Sequence, residues 1–214
     1  MNLNHITVNT QSSIRIEGSQ ILYFDPFQIG NSTHDADMIF ITHDHYDHFE
    51  PDSISKVKKE GTLLVAPESM KKKVLSESGL SPDQCLFYQP GETHEQGNLV
   101  IETIPAYNKL KPFHTKGKKW QGYIVKMDDV RYYVAGDTDV NEDIKKVRCD
   151  VAMIPIGGHF TMDRKQAADY IVALKPKAVV PTHYGDIVGK KTDGSDFKKD
   201  LEKMDREIRV ELRL

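Results

Sequence analysis

The sequence lacks several features that mark whole classes of protein. Among its 214 residues there are only two cysteines, Cys85 and Cys149, which stand far apart and form no C-x-x-C pair. A disulfide framework is therefore disfavoured, and buried structural cysteine is favoured over thiolate zinc binding. No apolar run approaches the roughly 18 residues of a membrane span. The opening residues, MNLNHITVNT, also lack the basic start and apolar stretch of a signal peptide. We expect a cytoplasmic protein without a membrane partner.

The sequence also has no excess of positive charge and no phosphate-binding loop. The formal net charge is −3, which gives no global reason to expect binding to nucleic acid or anionic lipid. The glycine pair in PIGGHF has no Walker lysine after it, and no G-x-G-x-x-G follows a predicted strand. Hydrophobic residues make up 38% of the chain and charged residues 29%, as in ordinary globular proteins. This length fits one domain over residues 1–214.

Predicted strands come first along the chain and then alternate with helices. The predicted strands are HITVN, SIRIEG, ILYFD, DADMIFIT, TLLVA, NLVIETIPA, CDVAMIPI, AVVPTHYGD and IRVELRL, and a hairpin joins YIVKM to VRYYVAGD through Asp128 and Asp129. The predicted helices are Pro51 to about Lys59, PESMKKKVLSESG, MDRKQAADYIVALKP and DFKKDLEKM. This layout predicts an α+β fold in which sheets pack together with helices outside.

Three clusters of polar residues each follow a predicted buried strand. THDHYDH follows MIFI, GDTD follows YYVA, and THYGD follows AVVP. Strand ends hold functional groups rigidly, so these clusters are candidates for one site. His43 and His45 are two residues apart, so in an extended segment they point the same way and can reach one metal. The candidates for a second metal are Asp47, His48 and His183, and Asp137 is placed to bridge the two ions.

THDHYDH resembles the signature T-H-x-H-x-D-H of the metallo-β-lactamase superfamily. The segments FDPF, GDTD and PTHYGD extend this resemblance over most of the chain. The resemblance implies a four-layer αββα sandwich with a metal site, often two-metal, at the edge between the sheets. It is nearest to the compact metal-dependent hydrolases related to ascorbate-phosphate lactonase. Carried over by position, it assigns His43 and His45 to the first metal, Asp47, His48 and His183 to the second, and Asp137 to both.

One histidine that the family pattern expects is missing. After the strand IETIPAYN the chain has Asn108, a weaker oxygen ligand for a borderline metal. Asn108 stays a candidate ligand, and two histidines could replace it: His114 in KPFHTKG ranks first and His159 in GGHF second. The alternative for both is a histidine that contacts substrate or is merely exposed.

These candidates together predict a metal-dependent hydrolase. Two divalent ions, zinc first with manganese, iron or nickel as alternatives, would hold a hydroxide that attacks carbonyl carbon or phosphorus. Asp47 would orient this nucleophile or shuttle its proton, and His114, His159 or Tyr184 would protonate the leaving group.

Residues 108–120, NKLKPFHTKGKKW, carry five lysines with Phe113 and Trp120 among them. They could clamp the anionic group of a small substrate, namely an ester, a lactone or a phosphodiester, and the alternative is a solvated loop whose lysines serve solubility. The second class of function is a non-catalytic metal-binding or interaction protein on the same scaffold.

Overall fold

Two mixed β-sheets lie face to face in the computed structural model, which describes residues 2–109 and 111–214. Within these residues the first sheet holds six strands in chain order: β1 (Ile6–Val8), β2 (Ile14–Glu17), β3 (Ile21–Phe24), β4 (Ala36–Phe40), β5 (Lys58–Pro67) and β6 (Cys85–Tyr88). The second sheet holds β7 (Thr93–Gln96), β8 (Leu99–Pro105), β9 (Gln121–Met127), β10 (Val130–Val134), β11 (Val151–Pro155), β12 (Ala178–Thr182) and β13 (Arg209–Val210). Its strands run in reverse chain order from β13 to β7.

Helices cover the outer face of each sheet. The four α-helices of the described residues are α1 (Pro51–Val57), α2 (Lys71–Glu77), α3 (Arg164–Leu174) and α4 (Asp193–Met204). Ile54 of α1 and Val74 of α2 pack against the first sheet, whereas Ile171 of α3 and Phe197 of α4 pack against the second. The four layers confirm the predicted α+β αββα sandwich.

The apolar strands alternate their side chains between two cores. Met38 and Phe40 of β4 point into the core between the sheets, and Ile39 between them points to the layer of α1 and α2. In β12, Val180 likewise faces the central core and Val179 the outer one. Because both faces are buried, such strands read as continuous apolar runs.

The parallel strands of both sheets set the position of the site. Strands β3 to β6 pair in parallel in the first sheet, and β10 to β13 do so in the second. Parallel strands end at the same edge of a sheet, so the segments that follow β4, β10 and β12 gather there.

Most predicted elements form, with a few differences. The hairpin between β9 and β10 turns as predicted at Asp128 and Asp129, whose φ angles of 51° and 60° are those of a type I′ turn. The predicted strand IRVELRL is wrong beyond β13, which pairs over two residues only. The second predicted helix begins as a 3-10 turn, Glu68–Met70, before α2. Strands β6 and β7 were not predicted. No helix in the described residues is long and apolar enough to span a bilayer.

Candidate metal centre

Metal-capable side chains from four segments converge at one edge of the sandwich. The segment after β4 carries four of them, the segments after β10 and β12 carry one each, and the loop between β8 and β9 carries one. They form two groups, within each of which the ligand atoms all lie within 4.8 Å of one another: His43, His45, His114 and Asp137 in the first group, and Asp47, His48 and His183 in the second.

The first group has spacings that suit a tetrahedral ion. His43 Nε2 lies 3.1 Å from His45 Nδ1 and 3.3 Å from His114 Nε2. Asp137 Oδ2 lies 3.3 Å from His114 Nε2 and 3.9 Å from His43 Nε2. Four ligands at roughly 2.0–2.1 Å from a zinc ion are about 3.3 Å apart along each edge of the tetrahedron. These spacings are close to those around one divalent ion, so the four side chains are candidates to hold it.

The second group has similar spacings, and Asp137 joins it to the first. Asp47 Oδ2 lies 3.3 Å from His183 Nε2 and 3.5 Å from His48 Nε2. Asp137 Oδ1 lies 3.3 Å from both of these imidazole nitrogens. Asp137 thus turns one carboxylate oxygen toward each group, which is the arrangement of a bridging ligand.

Unpaired buried atoms at this centre point to a bound cation. His48 Nε2, His183 Nε2 and Asp137 Oδ1 are buried and make no hydrogen bond. Leaving such an atom unsatisfied costs about 1–3 kcal/mol, and here three of them converge on one point. Imidazole nitrogens beside a shared carboxylate suit divalent transition metals, so the residues present fit the metal ions that the ligand pattern implies.

A fully buried aspartate holds two of the histidines in place. Asp25 Oδ2 accepts hydrogen bonds from His48 Nδ1 at 2.7 Å and from Thr42 Oγ1 at 2.6 Å, and Asp25 Oδ1 accepts from Thr42 N at 2.8 Å. Because the Thr42 hydroxyl donates to Asp25, it accepts from His43 Nδ1 at 2.9 Å. Both rings are thereby protonated at Nδ1 and turn a free Nε2 toward the ligand groups, as outer partners of metal ligands do.

The surroundings shift the pKa values of Asp137 and His43 toward the forms that bind metal, whereas those of His48 favour its charged form in the absence of an ion. Burial would raise the pKa of Asp137, but His183 and His48 outweigh it and hold that pKa well below its usual value. Burial and the neighbouring His48 lower the pKa of His43 well below 6.5. Burial would also lower the pKa of His48, yet Asp137 and Asp25 raise it well above 6.5. His43 is therefore neutral and Asp137 ionised at neutral pH.

The three candidates for the missing ligand lie in different surroundings. His114 belongs to the first group, and its backbone carbonyl accepts from Asn108 N at 2.7 Å. The Asn108 amide donates to Phe160 O at 2.7 Å, and its Oδ1 is buried without a hydrogen-bond partner. His159 is exposed and lies outside both groups, with its ring against Phe113 and Phe160. Ligation by Asn108 and proton donation by His159 stay predictions.

Gly157 lets the loop after β11 pass close to the backbone of His183. A Cβ on Gly157 would lie 2.2 Å from the carbonyl oxygen of His183, so only glycine lets the two chains pass so closely.

Three residues that shape the centre escaped the sequence reasoning, and a fourth, Trp120, was expected only as part of the lysine-rich segment 108–120. Asp25 and Thr42 lie in the quoted segments FDPF and THDHYDH, but nothing in those letters indicates their hydrogen bonds. The Trp120 ring packs 4.9 to 5.3 Å from three histidine rings of the first group, measured between centroids. Gln11 is fully buried at a φ of 48°, and its carbonyl accepts from His183 N at 2.9 Å.

A double sheet between helix layers, with H-x-H-x-D-H and a shared aspartate at its edge, defines a metal-binding protein of the metallo-β-lactamase fold. Residues 5–183 match the sequence model of the beta-lactamase superfamily domain, and the chain belongs to that superfamily. It is 34% identical over 196 residues to a UPF0173 metal-dependent hydrolase of Thermococcus kodakarensis, with 86% of each chain covered. It is 32% identical over 200 residues to a UPF0173 metal-dependent hydrolase of Thermococcus onnurineus, with 88% of each covered.

A solved structure agrees with these relatives. The crystal structure of a metal-dependent hydrolase from Parabacteroides distasonis matches with a TM-score of 0.79 and 30% identity, covering 97% of this chain and 91% of that one. The predicted class, a metal-dependent hydrolase, is confirmed, and the alternative of a non-catalytic metal-binding protein is set aside.

Proposed function

We propose that the protein hydrolyses a small anionic ester, lactone or phosphodiester at a centre of two divalent ions, in the cytoplasm. The observation that carries this proposal is Asp137, whose two oxygens each face a separate group of ligands. Divalent ions held by these residues would supply a polarised water as nucleophile and would stabilise the negative charge that develops on the substrate oxygen.

Zinc is the first candidate for both ions. The two groups together offer five imidazoles and two carboxylates. Imidazole-rich sets suit zinc, iron and nickel, whereas manganese shares the preference of magnesium for oxygen ligands and so ranks lower.

Asp47 is the proposed group for orienting the nucleophile. Burial would raise its pKa, but the neighbouring His183 and His48 imidazoles lower it, so the carboxylate is ionised at neutral pH.

Proton donation to the leaving group is assigned to His159. The Nε2 of His114 lies among the ligand atoms of the first group, which leaves this nitrogen no free role as a donor. The Tyr184 hydroxyl is directed at Gly194 in α4, where a Cβ would lie only 2.1 Å from it. His159 is an exposed imidazole in the loop after β11, and the Asn108 hydrogen bond to Phe160 ties this loop to the one that carries His114.

Lys118 is the proposed contact for an anionic group of the substrate. Its Nζ lies 5.3 Å from the centroid of Trp120, the ring that packs on the first group. Three other lysines of the segment 108–120 are already ion-paired, which lowers their value as an anion clamp. These pairs are Lys109 with Glu142 at 2.7 Å, Lys111 with Asp139 at 2.5 Å and Lys116 with Asp143 at 3.3 Å.

The hydrolase proposal is tested with zinc-loaded protein on a panel of esters, lactones and phosphodiesters. Turnover of at least one class is expected, with loss of turnover in chelator. Asp47→Ala should reduce kcat at least 1,000-fold while Asp44→Ala, a neighbouring aspartate outside both ligand groups, keeps it. Turnover by Asp47→Ala at the wild-type rate would reject the mechanism.

The charge of the substrate is tested by removing one lysine at a time. Lys118→Met should raise KM for an anionic substrate about three- to tenfold and leave a neutral analogue unchanged. Lys116→Met is the matched control, because Asp143 already balances the charge of Lys116. Equal KM values in the two variants would remove Lys118 from the substrate site.

A further inference from the structure

Three of the seven large apolar side chains that are exposed in the described residues lie on the loops that carry the ligands. Tyr46, between His45 and Asp47, is 65% exposed, and Phe113, next to His114, is 45% exposed. Ile187, four residues after His183, is 37% exposed. Large apolar side chains that a protein leaves exposed together mark a surface used for binding.

Phe113 belongs to a small aromatic cluster. Its ring centroid lies 5.0 Å from that of Phe160, edge to face, and 6.3 Å from that of His159. The rings of His159 and Phe160 are 4.3 Å apart. We call Phe113, His159 and Phe160 the aromatic rim.

Two hydrogen bonds fix the aromatic rim to the rest of the site. The Asn108 amide donates to Phe160 O at 2.7 Å, and Lys111 Nζ donates to Thr161 O at 2.5 Å. They join the loop between β8 and β9 to the loop between β11 and α3. The rim therefore has a defined place beside the centre and is more than a set of mobile surface rings.

The aromatic rim adjoins the first ligand group. Phe113 and His114 are consecutive, so their Cα atoms are about 3.8 Å apart. His114 is buried with its Nε2 3.3 Å from His43 Nε2, while Phe113 turns outward to solvent. A molecule whose reacting group lies at the ligands of the first group thus has the aromatic rim beside its remaining part.

We propose that the aromatic rim binds an aromatic or planar apolar group of the substrate, next to the bond that is hydrolysed. That the bound group belongs to a substrate rests on the proposed hydrolase function. Binding of an aromatic anion at the rim can be tested without turnover. Aromatic rings pair edge to face or offset, and the rim presents faces and edges of three rings to such a group. A protein partner is a poorer match, since a stable protein interface buries about 800 Å² on each side, far more than three rings supply.

The binding arm compares benzoate with acetate, two anions that differ in the aromatic ring. Trp120 is the single tryptophan of the chain and packs on the first ligand group, so its fluorescence reports binding without turnover. Zinc-loaded wild type should bind benzoate more tightly than acetate. Phe113→Ala should weaken the binding of benzoate about three- to tenfold and leave the binding of acetate unchanged.

The control variant is Met204→Ala. Met204 is 47% exposed, close to the value for Phe113, and it ends α4, whose first turn adjoins the loop after β12. Twelve helical residues place it about 18 Å from that loop. This variant should bind both anions as wild type does.

The turnover arm uses methyl benzoate and methyl acetate. Comparing each variant with wild type cancels the different intrinsic reactivity of the two esters, and Phe113→Ala should raise KM for methyl benzoate alone. If no ester, lactone or phosphodiester is turned over, the proposed function fails, while a benzoate preference that depends on Phe113 still supports the rim.

Three outcomes would overturn the inference. One is that wild type binds benzoate no more tightly than acetate. Another is that Phe113→Ala weakens the binding of benzoate and of acetate equally. The third is a wild-type dimer in sedimentation that Phe113→Ala dissociates without changing benzoate binding, because a second copy of the chain would then cover the rim.

Discussion

Replacing Asp25 by asparagine should weaken metal binding at the second group while leaving the fold intact. Asn has the shape of Asp and tolerates the left-handed backbone of this position, where φ is 44°. Its amide has one oxygen and one NH₂ group, however, so it cannot accept from both His48 Nδ1 and the backbone N of Thr42, which face different oxygens of the carboxylate. An NH₂ group that faces His48 Nδ1 would favour the proton on Nε2, the nitrogen that faces Asp137.

The size of this effect follows from the role of the carboxylate. Loss of an outer partner of a metal-bound histidine typically lowers metal affinity 10- to 100-fold, or about 1.4–2.7 kcal/mol. We expect a loss in this range for one ion of the pair and a smaller change for the other, since Thr42 still holds His43.

Competition with a calibrated chelator would measure both dissociation constants. The matched control is Asp35→Asn, which removes a carboxylate that bonds Arg15 and Tyr23 in the same sheet region, away from the ligands. Wild-type affinity for both ions in Asp25→Asn would refute the proposed orienting role of Asp25.

Two further predictions concern the protonation and the packing of the centre. Burial lowers the pKa of His43, so ion-free protein should lose the stability due to this residue as pH falls below 6.5. The pKa of His48 is raised, so its contribution to stability is present below 6.5 and is lost as pH rises through the raised value. Imidazole proton NMR of ion-free protein should find His48 charged and His43 neutral at pH 6.5, and the reverse order would contradict the charge assignment. Gly157→Ala should lower the free energy of unfolding by about 1–3 kcal/mol and weaken the binding of one metal ion, because the new Cβ collides with the carbonyl of His183. Gly30→Ala, where a Cβ meets nothing within 4 Å, is the control in urea unfolding and chelator competition, and equal behaviour of the two variants would disprove the steric argument.

The main elements of the fold could be predicted because their patterns are strong. MIFI in β4 and AVVP in β12 are apolar on both faces, and the structure buries them between helices and the partner sheet. Strand β7, in contrast, is THEQ, a polar strand at the sheet edge that pairs only with β8 and leaves alternate residues exposed. Such a strand forms because β8 offers it hydrogen bonds, and its own residues carry no periodic apolar signal.

The part of the site whose ligands are close together in sequence could be predicted. His43, His45, Asp47 and His48 are close in sequence and are brought together by a single turn after β4. The position of His114 was not predictable to the same degree, because it depends on a loop that curls back so that Asn108 N bonds His114 O. Asp25 was equally hidden, since its role comes from the parallel pairing of β3 with β4, which sets FDPF beside THDHYDH.

Elemental analysis of the purified protein, loaded with zinc and freed of excess ion, tests the central claim most directly. Two groups of ligands joined by Asp137 predict about two zinc atoms per chain, falling to about one in Asp47→Asn. A wild-type value of one or none, or an Asp47→Asn value equal to wild type, would contradict a centre of two ions.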